Sequence, residues 1–60
     1  MKLPSENEIL KSYYSGSRDS QGNPHGYGVM EYYTQKGVEY KYEGSFIHGK
    51  RHGYGTWLAL

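Results

Sequence analysis

Apolar and polar side chains alternate between residues 40 and 46 of this 60-residue chain. On an extended backbone, one face carries the rings of Tyr40, Tyr42 and Phe46, with Gly44 between them. The opposite face is polar and carries Lys41, Glu43 and Ser45. Because side chains on a β-strand point alternately to its two faces, this period of two predicts a half-buried strand.

A turn and a returning strand follow this segment. His48-Gly49-Lys50 supplies the turn, since glycine adopts a positive φ without steric cost. The next residues, Gly53-Tyr54-Gly55-Thr56-Trp57, are rich in strand formers once the glycines are passed. Residues 42–57 are therefore predicted to form a β-hairpin.

The same pattern occurs once more upstream. Tyr14-Ser15-Gly16 matches Tyr42-Glu43-Gly44, and Gly22 matches the turn residue Gly49. His25-Gly26-Tyr27-Gly28 is identical to His52-Gly53-Tyr54-Gly55. Shared anchor residues at a fixed period of about 20–50 residues are typical of a repeat array.

These anchors resemble the MORN repeat (membrane occupation and recognition nexus), which has Tyr-x-Gly-x-Phe, a turn glycine and then His-Gly-x-Gly. The second copy, residues 42–57, fits well; in the first, residues 14–29, Arg18 stands where Phe46 stands in the second. The first copy also has a longer, more polar turn, and the connector between the copies is long for the family. The resemblance implies structural roles for the repeated positions, which are Tyr14, Gly16, Gly22, His25, Gly26, Gly28, Tyr42, Gly44, Phe46, Gly49, His52, Gly53 and Gly55.

Four strands are predicted, at about residues 13–17, 26–33, 38–46 and 53–60. Short connections between successive strands favour an antiparallel meander. The fold class is therefore all-β: a meander of two MORN-like hairpins, residues 13–33 and 38–60, within one unit spanning 13–60. Residues 1–12 precede it as a short helix or a disordered tail. Ser5 and Glu8 have capping-box spacing, which predicts a helix from about Glu6 to Lys11 with Ile9, Leu10 and Tyr13 on one face.

The composition limits what such a domain does alone. Eight tyrosines accompany one phenylalanine and one tryptophan, so the expected core is a thin aromatic layer with wet edges. The chain contains no cysteine, which excludes disulfides and thiolate metal sites and fits a reducing compartment. No apolar run approaches the ~20 residues that span a bilayer, and acidic residues follow the start where a signal peptide is apolar. The expected location is the cytoplasm, with cytoskeletal or membrane association as a further expectation.

Candidate chemistry is sparse. His48 and His52 are four residues apart but flank a glycine-rich turn, so helical ligand geometry does not apply and no metal site is predicted. His25 and His52 occupy equivalent repeat positions, which favours a structural role through a ring hydrogen bond to a neighbouring carbonyl. The Gly-x-Gly pairs open no helix and are not phosphate loops; we expect Tyr14 and Tyr42 to pack over such glycines. No motif assembles a nucleophile with a base, so neither an enzyme nor a bound cofactor is predicted.

The candidate interaction residues lie in the aromatic strands and in the basic turn. Tyrosine, tryptophan and arginine are enriched at interaction hot spots, so the expected interaction residues are Tyr40, Lys50, Arg51, Tyr54 and Trp57. The aromatic face is equally the domain's own core. The basic turn (His48, Lys50, Arg51 and His52) has only two full positive charges, which favours a solvated turn over a lipid contact. The net charge of +1 gives no support to nucleic-acid binding.

The predicted function is a non-catalytic protein-interaction or scaffold module within a larger assembly. The resemblance implies the same, because proteins with such repeats are often cytoskeletal, ciliary or membrane-junction scaffolds. Its alternative is peripheral membrane association through acidic phospholipid headgroups, which the family implies and the basic turn would mediate. A third interpretation is a regulatory repeat segment of an enzyme. The apolar C-terminal strand predicts that the chain belongs to a longer array or pairs with a protein partner.

Overall fold

The computed structural model describes residues 4–37 and 39–59 of the chain. A single 3₁₀ turn, Glu6–Glu8, is followed by four strands: β1 (Ile9–Arg18), β2 (Pro24–Thr34), β3 (Glu39–Ile47) and β4 (Lys50–Ala59). The strands form one antiparallel sheet in the order β1-β2-β3-β4, which confirms the predicted all-β meander. Two residues assigned to predicted strands, Val38 and Leu60, lie outside the described residues.

The helix predicted over residues 6–11 is wrong beyond its first turn. Glu8 does reach back as a capping box requires, accepting hydrogen bonds from the Ser5 backbone N–H (3.0 Å) and hydroxyl (2.8 Å). Ile9 already has extended backbone angles and pairs with Thr34 on β2. A helical turn fixes several backbone dihedrals for a single hydrogen bond, which is unfavourable in a short segment. As part of β1, Ile9 pairs with Thr34 and packs against the aromatic core. In the strand, Leu10 faces away from Ile9 and is 63% exposed, so the predicted helical face does not form.

The alternation predicted for β3 is present. Tyr42, Gly44 and Phe46 are buried, whereas Glu43 between them is exposed. Tyr32 joins Tyr42 and Phe46 as the buried aromatic core. Around it pack the partly buried residues Ile9, Tyr14, Met30, Tyr40 and Trp57. We call the sheet surface that carries these residues the inner face and the opposite surface the outer face.

The two hairpins turn differently. Ile47 pairs with Lys50, so His48 and Gly49 alone connect β3 to β4, with φ values of 46° and 89°. Positive φ at both central residues is the requirement of a type I′ turn, which matches the twist of a two-strand ribbon. Hairpin 1 (β1–β2) uses the longer loop 19–23, in which the Asp19 carboxylate accepts the N–H groups of Gln21 and Asn23 at 2.9 Å each.

Candidate interaction surfaces

A row of glycines crosses all four strands of the sheet. Gly16 pairs with Gly28, Gly28 with Gly44, and Gly44 with Gly55. These positions carry no side chain, so the inner face has a trough along this row. The glycines at the repeated Tyr-x-Gly and Gly-x-Gly positions thus fall in register from one repeat to the next.

A tyrosine ring from each hairpin fills this trough. A Cβ on Gly28 would fall under 3.0 Å from the Tyr14 ring, and one on Gly55 would meet the Tyr42 ring equally closely. Each hydroxyl donates to a carbonyl three residues further along, Tyr14 to Ser17 at 2.6 Å and Tyr42 to Ser45 at 3.1 Å. The Tyr-over-Gly packing expected from the sequence is therefore present in both hairpins.

Phe46 connects the two hairpins. It is 2% exposed, and its ring meets both Tyr14 and Tyr42 edge-on with centroid separations of 5.2 Å. At the corresponding position of hairpin 1, Arg18 is exposed and its guanidinium lies 4.9 Å from the centre of the Tyr14 ring. Hairpin 1 lacks its own aromatic residue there and packs against the one that hairpin 2 (β3–β4) supplies.

Of the expected interaction residues, Tyr40, Arg51 and Trp57 belong to the inner face. The Arg51 guanidinium lies 5.0 Å from the Trp57 ring centre and donates to the Tyr32 hydroxyl at 2.7 Å. Trp57 stacks on Tyr32 with a centroid separation of 5.8 Å. A groove of about 350 Å³ runs beside this cluster, lined by Pro4, Glu6, Ile9, Met30, Tyr32, Gly49, Arg51 and Trp57.

Lys50 and Tyr54 lie elsewhere. Lys50 begins β4 directly after the turn and is exposed. Tyr54 lies on the outer face of β4 and is 94% exposed. The five residues therefore do not form one continuous surface. The basic turn is also divided, because Arg51 is held on the inner face and His48 contacts Asp19.

The outer face shows how one repeat contacts the next. Tyr27 on β2 donates its hydroxyl to the Glu43 carboxylate on the neighbouring strand β3. This hydrogen bond raises the pKa of Tyr27, because it favours the protonated phenol beside a carboxylate. Tyr54 is the equivalent residue of the second repeat, and the described residues place no further strand beside β4. Tyr54 thus presents the group that Tyr27 uses for contact between repeats.

At one end of the sheet, the loop of hairpin 1 meets the turn of hairpin 2. The Gly49 N–H donates to the Pro24 carbonyl at 2.8 Å, and the His48 backbone N–H donates to His25 Nδ1 at 3.1 Å. His48 Nδ1 lies 3.0 Å from an Asp19 carboxylate oxygen. The hydrogen bond with His48, followed by that from the Asn23 backbone, lowers the pKa of Asp19 to about 2.

Sequence reasoning missed this grouping of Asp19, His25 and His48, whose candidate ligand atoms lie within 4.8 Å of one another. It paired His25 with its repeat equivalent His52, whereas the ring that His25 contacts belongs to the turn of the next hairpin. His25 Nδ1 accepts the backbone N–H of His48, so this ring nitrogen bonds the turn of the next hairpin. The signal that could have found this group is the His48-Gly49 pair. It forms a two-residue turn with positive φ at both residues, and this geometry fixes the direction in which the His48 ring projects.

Comparison with known proteins identifies the repeats. The MORN repeat model matches residues 20–35 and 42–58, which together make up more than half of the chain. The first match begins beyond Arg18, in line with the weaker first copy. No curated protein and no solved structure matches the chain. In the part of the chain that the structure describes, no helix is long and apolar enough to cross a bilayer.

MORN repeats are generally modules for protein or membrane interaction, and the family is generally non-catalytic. The glycines of the row and the tyrosines that fill it recur from the first hairpin to the second, and the family model matches part of each hairpin. The chain belongs to the MORN repeat family.

Proposed function

We propose that this chain is a non-catalytic scaffold module that binds a protein partner by adding an extended strand to the outer edge of β4. The observation that carries the proposal is the contrast between Tyr27 and Tyr54. Tyr27 is bonded to an acidic residue on the next strand, whereas Tyr54 has the same place in its repeat and is 94% exposed.

The backbone of β4 supports the same interpretation. Within the described residues, β4 is hydrogen-bonded to β3 on one side only. An open strand edge presents unpaired N–H and C=O groups, which are a ready template for pairing with another segment. Leu58, on the same outer surface as Tyr54, is 50% exposed and adds apolar area to this edge.

The packing between the hairpins indicates which partner chemistry fits. β3 supplies its neighbours with three groups: an acidic residue, diagonal in the register, that accepts the tyrosine hydroxyl of β2, a glycine in the central row, and an aromatic residue on the inner face. A strand of pattern Tyr-Glu-Gly-x-Phe would repeat those contacts on β4. Such a strand comes from a further MORN-like repeat, in a longer array or in a partner protein.

Membrane association is the rival function, and two of its four basic residues are already engaged. Arg51 packs on Trp57, and His48 contacts Asp19. Lys50 and His52 remain on the exposed surface. Lipid-binding clusters usually carry about four to eight lysines and arginines. This turn has only Lys50 and Arg51, so it is a weak match to an anionic bilayer.

A synthetic peptide with the sequence of residues 39–47 tests the proposal. Titrated into the ¹⁵N-labelled chain, it should shift the amide resonances of residues 50–59 far more than those of β1. Replacing the second glutamate of the peptide, which corresponds to Glu43, with lysine should weaken binding, because the acceptor for Tyr54 is lost. Tyr54→Phe in the chain should weaken binding likewise, and Tyr27→Phe serves as its matched control.

Two results would contradict strand addition at β4. Equal shifts on β1 and β4 would mean that the peptide pairs with any open edge. Binding of phosphatidylserine vesicles by the wild type, abolished by Lys50→Glu, together with no response to the peptide, would favour the membrane function. The Lys50→Glu change leaves the inner-face contacts of Arg51 intact, so a loss of vesicle binding would report on the basic turn itself.

A further inference from the structure

Three potential metal ligands converge where loop 19–23 meets the β3–β4 turn. Asp19 starts the loop, His25 lies near the start of β2, and His48 is the first residue of the two-residue turn. One ligand atom from each lies within 4.8 Å of the other two. We propose that Asp19, His25 and His48 form a binding site for a divalent transition-metal ion, with Zn²⁺ the best match.

The donor set fits this class of ion. Two imidazole nitrogens and one carboxylate oxygen suit Zn²⁺, whereas Ca²⁺ and Mg²⁺ require oxygen ligands. Bonds of about 2.0–2.1 Å in a tetrahedron separate neighbouring ligand atoms by roughly 3.4 Å. Asp19 Oδ2 and His48 Nδ1 are already 3.0 Å apart, and with a nitrogen of His25 the three candidate ligand atoms all lie within 4.8 Å of one another. Water takes the fourth position, because the His48 side chain is 71% exposed.

The backbone holds the ligands in place before any ion arrives. Asp19 Oδ1 accepts two backbone N–H groups, from Gln21 and Asn23, which fixes the carboxylate and leaves Oδ2 directed at His48. The Gly49 N–H also donates to the Pro24 carbonyl at 2.8 Å, which ties the β3–β4 turn to the end of loop 19–23. Such outer-shell bonds orient metal ligands and contribute to affinity.

Binding requires one exchange of hydrogen bonds. The ion takes the place of the hydrogen bond between His48 Nδ1 and Asp19 Oδ2, and a neutral His48 that binds through Nδ1 carries its proton on Nε2. If His25 binds through Nδ1, it gives up the hydrogen bond from the His48 backbone N–H, which then turns to water. Because protons compete with the ion for both imidazole nitrogens, affinity should fall in acid.

His52 provides an internal control. It is the repeat equivalent of His25, yet it is not a member of the three-residue group. A site defined by these loops therefore depends on His25 and His48 and does not depend on His52. Non-specific attraction of metal to exposed histidines would involve all three.

The experiment is a titration of the 60-residue chain with Zn²⁺ at neutral pH. Calorimetry measures the stoichiometry and affinity, and ¹H–¹⁵N spectra of the imidazole rings show which nitrogens respond. We expect one equivalent of Zn²⁺ to bind and one nitrogen in each of His25 and His48 to shift. His48→Asn, His25→Gln and Asp19→Asn should each weaken binding by about tenfold or more. Asparagine tolerates the positive φ of the turn, so His48→Asn should retain the amide spectrum of the fold.

Two results would overturn the proposal. One is a wild-type chain whose imidazole resonances do not respond to Zn²⁺. The other is a His52→Gln variant that loses as much affinity as His48→Asn, because that outcome indicates exposed histidines acting independently. The result for strand addition at β4 is separate, since no residue of this site faces that edge.

Discussion

The two hairpins share one design and differ in what lies beside them. In each, a tyrosine fills the glycine row and donates to a carbonyl three residues on. Hairpin 1 is completed by hairpin 2, which supplies Phe46 to Tyr14, Glu43 to Tyr27 and His48 to His25. Hairpin 2 has Tyr42 and Tyr54 at the positions of Tyr14 and Tyr27. The described residues place no third hairpin beside it. The first repeat of this chain is thus stabilised by contacts with its successor as well as by its own residues.

The strongest test of this shared packing is Phe46→Ala. The ring is 2% exposed and contacts the tyrosines of both hairpins, and removing such a ring costs about 3–5 kcal/mol of unfolding free energy. A core of this size supplies only about 3–5 kcal/mol in total, so the chain should unfold. Circular dichroism and amide dispersion check the result. A variant that loses only hairpin 2 would contradict the dependence of hairpin 1 on Phe46.

A second test adds a methyl group under the tyrosine of hairpin 1. Gly28→Ala places a Cβ against the Tyr14 ring, and overpacking of this kind costs about 1–3 kcal/mol. Gly22→Ala is the control, because nothing lies within 4 Å of its Cβ and only the positive φ of 86° opposes it. That backbone strain is worth about 1–2 kcal/mol. Both variants should lower the thermal midpoint, and a Gly28→Ala chain as stable as the wild type would remove Tyr-over-Gly packing as a determinant.

The contrast between Tyr27 and Tyr54 gives a smaller effect with a matched control. Tyr27→Phe removes the hydrogen bond to Glu43 and should lower the thermal midpoint. Tyr54→Phe removes the same atom from a side chain that is 94% exposed and should leave the midpoint unchanged. Equal losses in the two variants would show that the hydroxyl acts within its own hairpin.

Hydrogen exchange compares the hairpins without any mutation. Arg18 provides less burial for β1 than Phe46 provides for β3, so amides at residues 14–17 should exchange faster than those at 42–46. Faster exchange in β3 would mean that the repeats are misaligned.

Acid should weaken the contact between Asp19 in loop 19–23 and His48 in the β3–β4 turn. The pKa of Asp19 is lowered from 3.8 to about 2, chiefly by its hydrogen bond with His48. A carboxyl group with a lowered pKa stabilises the folded state above its unfolded pKa, and this contribution is lost as pH falls through the folded value. Asp19→Asn should therefore flatten the decline in stability between about pH 4 and pH 2. A steeper decline in the variant would contradict the assignment.

Local patterns predicted most of the sheet and little of how its parts meet. The strand of Tyr40 to Phe46 and the rings over glycine follow from alternation and spacing, which are properties of one hairpin. Ile9 was misassigned, because pairing with Thr34 overrides the preference of a short capped segment. The inward position of Arg51 and the meeting of His25 with His48 depend on contacts between segments that no sequence period records.

The glycine row has a consequence for how such a chain tolerates insertion. Gly16, Gly28, Gly44 and Gly55 stay level across the sheet, although hairpin 1 has a five-residue loop and hairpin 2 a two-residue turn. The register of the glycines is set by the pairing of each strand with its neighbour. Residues inserted into a loop therefore need not shift the register of the next repeat. Residues 35–37, which connect the two hairpins and are exposed, are accordingly the natural place to graft a foreign epitope or a reporter.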